Sequence, residues 1–522
     1  MSTVNPSSSP ESDKTPQLSA MLWLLLLLVA IAAYRAFIVQ STGMNLYLDE
    51  AYYLDWSRHL AFGYYSKPPF VAWSIAAFTG VCGEGELCVK LSAFLWYAVA
   101  ALFVALLAVR QFGREHGTLS GIALYTLPAV GFLTMTVSTD APLLAFWAIG
   151  LWLFVCALDE QPGAWFGLGL AMGLGMLSKY TMVLFPISMF LYLLLSEHRG
   201  WLRMRGPWLA LGVMLLVLAP NLWWNFQHDF PSITHTAEMT EWTGDRDRFG
   251  DLLEFLGGQL GVFGPLAFLV LLVMCFSPSV WRDSRQRMLL LFTLPLLLMY
   301  LGQAWLGGAN VNWALAAYVS ATPLLVVFLR ERGRVGTSLL IAALVLNVVL
   351  NLVPYHFRTL APLVGIELNR QWDPWSRILG WREMGEQVQA LRADHPDAAL
   401  LGDDRLVLSQ MTYYGRTRQS EWSAVAAWNP DGGVASQFEL MNDIAASEAS
   451  SFLYVGRTPL EALAPAFEVA EQIGTARHQV VVDRTLEVFV YRLEGFRGYE
   501  AVAHLPPSDA MPGRTGAEAP RP

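Results

Sequence analysis

Charge is what this chain has least of. Only 15% of its 522 residues are Asp, Glu, Lys or Arg, against 54% hydrophobic ones, and the mean hydropathy is +0.40. That is too apolar for a protein dissolved in water, so a soluble enzyme is excluded and a polytopic membrane protein is implied. Positive charge is scarcer than negative: 34 Lys and Arg stand against 43 Asp and Glu, a net charge of -9, which argues against a nucleic-acid partner. Cysteine is scarce too. Of four, Cys156 and Cys275 lie in apolar runs and read as inert packing, whereas Cys82 and Cys88 flank a short GEGEL loop. No Walker, Rossmann or HExxH pattern occurs, so no motif points to ATP, NAD or zinc-protease chemistry, and no internal repeat is visible. The residues before the first apolar run are polar and rich in Ser and Pro, without a strongly basic stretch. Residues 1–20 therefore read as a disordered cytoplasmic tail, and the run from Met21 to Val39, longer than the apolar core of a signal peptide, as a retained first span.

Long apolar runs are abundant. Counting stretches of about 20 apolar residues predicts eleven transmembrane helices, near 21–39, 89–109, 118–137, 141–158, 163–178, 180–196, 207–224, 252–277, 288–305, 313–329 and 336–353. Short translocated loops are poor in Lys and Arg. The clusters Arg110 and Arg114; Arg199, Arg203 and Arg205; Arg282, Arg285 and Arg287; and Arg330, Arg332 and Arg334 all fall on one side, which is thereby assigned to the cytoplasm. The opposite side receives residues 40–88, the corner Ser138-Thr139-Asp140, the neighbourhood of Lys179, residues 225–251, the turn from Gly307 to Asn312 and everything after 354. An oxidising location there favours a Cys82–Cys88 disulfide. After 354 the apolar runs shorten. WREMGEQVQALRAD and DRLVLSQMTYY read as helices, and AALLGD, SFLYVG and LEVFVYRL as strands, before a tail over 505–522 that is disordered by composition. The predicted fold class is mainly α: a membrane helical bundle over 21–353 and a small extracytoplasmic α/β domain over 354–504.

The stretch LDEAYYLDWSRHLAFGYYSKPPF, residues 48–70, gathers the groups best suited to chemistry at a membrane surface. Asp49 and Glu50 are adjacent acids shortly beyond the first span, close enough to meet a lipid-borne substrate yet outside the hydrocarbon, where an Asp stays ionised. Tyr52, Tyr53, Tyr64, Tyr65 and Lys67 add hydroxyls and a cation that suit a phosphate or sugar, and Pro68-Pro69 stops the loop from continuing as one helix. A solvated loop with an aromatic belt would read much the same. Asp140 opens a span with Pro142 just inside it, which a helix cap explains; the functional reading makes it a second acid facing Asp49. Lys179 either snorkels to the interface or supplies a cation for phosphate, and no acid lies near it in sequence. Trp223 and Trp224 end a span as an aromatic belt; His228, Asp229 and His235 after them have the residue types but not the spacing of a metal site. Asn310, Asn312 and Trp313 read as an ordinary polar turn.

In this order, LDEAYYLDWSRHLAFGYYSKPPFVAW, STDAPLLAFW, GMLSKYTMVL, NLWWNFQHDFPSITH and NVNWALAAYV resemble the bacterial branch of the protein O-mannosyltransferase superfamily. These are GT-C-fold glycosyltransferases, which include the lipid A aminoarabinose transferases and the rhizobial galacturonosyltransferases. The resemblance runs from about residue 20 to 440. It implies a catalytic Asp-Glu pair in the first outer loop, here Asp49-Glu50, and a further acid opening a later span, here Asp140. It also implies a polyprenyl-phosphate-linked sugar donor, with donor-phosphate contacts at Tyr53, Tyr64, Lys67 and Lys179. Two positions depart from the aminoarabinose transferases. Ser66 stands where they carry a Glu that helps hold a metal, and Tyr52 where they carry an Arg three residues after the Asp. Neither a required metal nor the aminoarabinose donor therefore carries over. No cofactor is expected as a requirement, a divalent metal is left open, and His228 and His235 are the residues to watch for one.

The chemistry so implied is transfer of a sugar from lipid phosphate to a hydroxyl of a lipid, polysaccharide or protein acceptor, on the periplasmic face of a bacterial inner membrane. Asp49 is the expected general base, a role typically worth about 10²–10⁴-fold in rate. One displacement through an oxocarbenium-like state inverts the anomeric centre. The departing phosphate is a weak base and asks only for cations and hydroxyls around it. Glu50 and Asp140 orient the acceptor, the loop or a cation. A transporter or flippase for lipid-linked sugars would share the spans and the affinity for phosphate, but would place its charges at the bilayer midplane in repeated halves. A related O-antigen ligase is the other alternative.

Overall fold

Every expected span coincides with helix, though not every one with a straight rod. A computed structural model describes residues 15–239, 247–416 and 422–502. The tails expected before and after lie outside the described residues, except that helix α1 (Thr15–Ser41) already takes in the end of the first. Helix α2 (Leu48–Arg58) opens on a capping box, in which the Glu50 carboxylate accepts the Tyr47 N–H at 2.7 Å. Past the double proline, α3 (Phe70–Cys82) is a 13-residue apolar helix within what the sequence gives as an outer loop. The chain then runs through α4 (Glu86–Phe112) and the pair α5 (Arg114–Tyr125) and α6 (Pro128–Thr134), which meet at a 56° bend beside Pro128. Next come α7 (Asp140–Leu158), α8 (Ala164–Ser178), α9 (Leu184–Leu195), α10 (Arg205–Gln227) and α11 (Pro231–Met239).

The run 252–277 was expected to cross as one helix. It folds instead as α12 (Arg248–Val262) and α13 (Pro265–Phe276), bent by 113°. Gly264 between them takes φ 98°, and a Cβ there would run into the Asn347 carboxamide, so the corner requires glycine. After a single turn, α14 (Pro278–Arg282), the bundle closes with α15 (Ser284–Gly307), α16 (Ala317–Arg330) and α17 (Gly333–Leu363). Six described helices are long and apolar enough to cross a membrane, nine crossings if each of three bent pairs counts as one. The two remaining expected spans fold as α8 and α16, 15 and 14 residues long, shorter than the ~20 residues a bilayer crossing takes. Large side chains such as Leu216, Phe276 and Val335 stand uncovered by protein, 73%, 85% and 81% exposed, as suits a surface solvated by lipid tails.

The two ends of the bundle differ. At one, the arginine-bearing connections meet: Arg285 donates to the Gln111 carbonyl at 2.9 Å, Arg330 to that of Glu115 at 3.3 Å, and Arg287 pairs with Glu197 at 2.9 Å. At the other lie α2, α3 and the C-terminal domain. α17 continues through Pro354 to Leu363, so the boundary expected at 353 falls inside a helix. The domain itself comprises α18 (Trp381–Arg392), β1 (Ala399–Gly402), α19 (Arg405–Tyr414), β2 (Val425–Ala427), α20 (Gln437–Met441), β3 (Ser451–Gly456), β4 (Phe467–Val481) and β5 (Arg484–Phe496). Its sheet runs β2-β1-β3-β5-β4, with β1 parallel to both neighbours and β5 antiparallel to β3 and β4.

This domain is docked on the stretch between α1 and α4. The Tyr414 hydroxyl accepts the Leu46 N–H at 2.8 Å, Gln410 donates to the Leu46 carbonyl at 3.0 Å, and the Gln437 side chain accepts the Tyr65 N–H at 2.7 Å. Cys82 and Cys88 are bonded, their Cα atoms 5.9 Å apart. The short loop they close presents Glu84 to Arg58 at 2.7 Å and to Arg416 at 2.5 Å, while Tyr413 donates to the Glu84 carbonyl at 2.7 Å.

Candidate active site

Neighbours on a helix point about 100° apart, and the two acids at the start of α2 show the consequence. Glu50 turns inward and is wholly buried. Its carboxylate accepts the Tyr47 N–H at 2.7 Å, the Val137 N–H at 2.8 Å and the Lys90 ammonium at 2.5 Å. Lys90, equally buried, also donates to the Met135 carbonyl at 2.9 Å. Charges can be buried only when paired and hydrogen-bonded to this extent. The start of α2 is thereby fastened to residues 135–137, just ahead of Asp140, so Glu50 sets where Asp49 stands relative to Asp140. Lys90 was not singled out from the sequence, although an ionisable residue inside a membrane-length apolar run was the signal to follow.

Asp140 is almost buried at the first position of α7. One carboxylate oxygen lies 2.7 Å from the Lys179 ammonium and the other accepts from the Asn312 amide at 3.3 Å. The cap position belongs to Thr139 and no side chain caps there, so capping does not account for Asp140. Lys179, without an acid near it in sequence, finds one across the bundle. It sits in extended backbone (φ −158°, ψ 132°) at the end of α8, beside Thr181, which hydrogen-bonds the Tyr300 hydroxyl at 2.8 Å. Asn312, expected in an ordinary turn, is part of this arrangement.

Asp49 is different. It is half-buried and, among the described residues, accepts no hydrogen bond. Around it lie the charges of Lys67 and Arg405, and the Tyr53 ring of the same helix. Burial pushes the Lys67 ammonium below its usual pKa, the nearby charges of Lys179 and Arg405 add to this, and Asp49 and Asp140 oppose it. Arg405, the first residue of α19, places its guanidinium 5.3 Å from the centre of the Tyr52 ring. Nothing in its sequence surroundings set it apart, because only the docking of the C-terminal domain brings it here. Three cations, Lys67, Lys179 and Arg405, thus face two carboxylates, Asp49 and Asp140, and the excess favours an anion. His235 lies at the margin, its ring 5.3 Å from that of Tyr65; burial, then the charges of Lys67 and Arg405, bring its pKa down to about 4.

The remaining expected site residues take other partners. The Tyr64 hydroxyl lies 3.1 Å from the carbonyls of Trp56 and His59 and accepts the Ala61 N–H at 3.1 Å, with its ring stacked on Trp56 at 4.5 Å. It closes the loop after α2. Tyr53 is buried, and its hydroxyl makes no hydrogen bond among the described residues. His228 stacks on Trp224 at 4.2 Å and hydrogen-bonds the Trp224 carbonyl at 2.8 Å, away from the Tyr65 partner of His235. Among the described residues no three His, Cys, Asp or Glu side chains gather as a metal-ligand set, and the two histidines of the sequence expectation, His228 and His235, face different partners.

Residues 66–224 match the family model described as dolichyl-phosphate-mannose-protein mannosyltransferase. Over 431 residues the chain is 31% identical to the lipid A galacturonosyltransferase RgtD of Rhizobium johnstonii, which takes in 80% of this chain and 88% of that protein. It is also 33% identical over 189 residues to the lipopolysaccharide core galacturonosyltransferase RgtA of the same organism, 34% of this chain and 37% of that one. Among solved structures, ArnT from Cupriavidus metallidurans bound to undecaprenyl phosphate superimposes with a TM-score of 0.61 at 17% identity, over 90% of this chain and 97% of that one. The expected GT-C fold, with its α/β domain at the C-terminus, is therefore the fold observed.

Proposed function

We propose, for a chain that belongs to the family of membrane glycosyltransferases that includes the lipid A galacturonosyltransferase RgtD, that it moves a uronic acid from a polyprenyl-phosphate carrier to a hydroxyl of lipid A or its attached core sugars. The reaction takes place at the periplasmic face of the bacterial inner membrane, where the first outer loop and the C-terminal domain meet. One observation carries the reading: Asp49, an acid that accepts no hydrogen bond among the described residues, stands among more cations than acids. Asp140, by contrast, has both oxygens engaged by Lys179 and Asn312.

The acceptor hydroxyl oxygen attacks the anomeric carbon from the face opposite the phosphate, and its proton passes to the Asp49 carboxylate. As the new glycosidic bond forms, the bond from the anomeric carbon to the phosphate oxygen breaks, and the electron pair leaves with the lipid phosphate. Lys67 stabilises the charge that grows there, with Lys179 and the Tyr53 hydroxyl beside it. One displacement inverts the anomeric centre. Asp140 holds Lys179 in place, and Glu50 positions Asp49 through Val137 and Lys90. The donor set around Asp49 and Asp140 does not fit a divalent ion, because Lys67, Lys179 and Arg405 already occupy the surroundings of both acids. The charges gather at one end of the bundle rather than at its middle, which speaks for chemistry at the interface over passage of a lipid-linked sugar.

The test is transfer by the purified protein in lipid vesicles, from polyprenyl-phosphate galacturonic acid to lipid A, read by mass spectrometry. Lipid A that gains a hexuronic acid is the expected product. A protein that transfers only neutral sugars, or transfers only to polypeptide, would refute the proposed donor and acceptor.

A further inference from the structure

We infer that Arg405 determines which sugar is transferred, by receiving the carboxylate of the donor's uronic acid while Lys67 and Lys179 hold the lipid phosphate. The inference rests on the uronosyl donor proposed above.

Arg405 is an arginine that its surroundings leave unused. Three other arginines where the C-terminal domain meets the loop do have acids: Arg416 and Arg58 share Glu84, and Arg382 pairs with Glu86. Arg405 is partly buried yet donates no hydrogen bond among the described residues. A guanidinium carries five N–H donors, and those of Arg405, none of them sealed from water, are left open to a ligand. Its place in the helix carries a cost. Arg405 opens α19, whose N-terminus is the positive end of the helix dipole, where a cation is disfavoured. Asp404, whose carboxylate caps the Leu406 N–H at 2.6 Å, offsets this only locally.

What the structure does provide is a fixed position. The Tyr52 ring lies 5.3 Å from the guanidinium, and the Tyr52 hydroxyl accepts the Gln437 N–H. A planar fork so placed matches a carboxylate by two parallel hydrogen bonds, whereas an ammonium acts on phosphate as a point charge. The cations divide accordingly. Lys179 already has Asp140, Lys67 is the ammonium without a hydrogen bond among the described residues, and Arg405 is the guanidinium without one. A neutral hexose on lipid phosphate would offer an anion to Lys67, with Lys179 beside it, and leave Arg405 unmet. A uronic acid on the same carrier offers two anions, for the two unengaged cations.

The experiment compares the full-length protein with Arg405→Gln and Arg405→Lys in vesicles. Each is assayed with polyprenyl-phosphate galacturonic acid and with polyprenyl-phosphate galactose, and each is titrated with undecaprenyl phosphate that carries no sugar. The expected result is that Arg405→Gln lowers the ratio of kcat/KM for the uronosyl over the neutral donor by about 10²-fold, with the affinity for bare undecaprenyl phosphate unchanged. Arg405→Lys, which keeps charge but loses the fork, should recover part of the ratio. An equal loss on both donors would overturn the inference, since Arg405 would then serve Asp49 or the fold. Weaker binding of the bare lipid would overturn it by making Arg405 a phosphate contact. If the unaltered protein uses no uronosyl donor, the proposed reaction itself fails and the inference with it, a result distinct from either loss in the variants.

Discussion

Glu50 and Lys90 form an ion pair with both side chains wholly buried, and breaking one half of such a pair costs more than removing the whole of it. Glu50→Gln leaves the Lys90 charge facing a neutral amide, and is expected to destabilise the protein by about 3–5 kcal/mol. The double variant Glu50→Gln with Lys90→Met should recover much of that loss. Thermal unfolding in detergent checks both, and a double variant no more stable than Glu50→Gln would show that the pair does not act as a unit. The residues named from sequence motifs, Asp49, Asp140, Lys67 and Lys179, do come together in space. Their division of labour was not legible, because it depends on which carboxylate is already engaged. Asp140 and Lys179 lie far apart in the chain and Glu50 and Lys90 likewise, so their pairing exists only once α2, α4, α7 and α8 are assembled. Arg405 was illegible for the same reason: its neighbours in sequence belong to the C-terminal domain and its neighbours in space to the loop.

At the scale of elements, the seam between loop and domain is closed by the Cys82–Cys88 loop and its Glu84. A disulfide across so short a segment stabilises by on the order of 2 kcal/mol in the chain-entropy model. Its greater effect here is to hold Glu84 where Arg58 and Arg416 converge. Hydrogen bonding to Arg58 leads in drawing the Glu84 pKa down to about 2, with Arg416 adding to it against the opposing effect of burial. The sign follows from linkage: the folded pKa lies below the unfolded value near ~4.3, so this stabilisation is present above pH ~4.3 and is lost as the pH falls toward 2. Reduction of the disulfide is expected to hasten amide exchange in α19, and Glu84→Gln should do the same at neutral pH. Exchange in α19 indifferent to both changes would mean that the seam is held elsewhere. The strands β1, β3 and β5 were legible because apolar residues crowd them. β4 was not, being an edge strand with few buried side chains and a register shift near Gly474. The corner between α12 and α13 is marked in the sequence by Gly264-Pro265, a breaker that the apolar character of the surrounding run concealed.

For the whole molecule, the arginine clusters assigned to one side do meet at one end of the bundle, and the candidate site lies at the other. With the arginine end in the cytoplasm, a reporter active only outside it should work when fused beyond Leu363 and stay silent after Arg205; the reverse pattern would invert the orientation. The candidate site as proposed draws on three parts at once: the stretch between α1 and α4 for Asp49 and Lys67, the bundle for Asp140 and Lys179, and the C-terminal domain for Arg405. At its centre is the claim that Asp49 takes the acceptor's proton. Asn at this position keeps the shape and loses the base, so the decisive measurement is turnover of Asp49→Asn beside donor binding on the same vesicles. Turnover reduced by about 10²-fold or more with donor binding intact is the expected result. Full turnover in Asp49→Asn, with the loss appearing instead in Asp140→Asn, would contradict it.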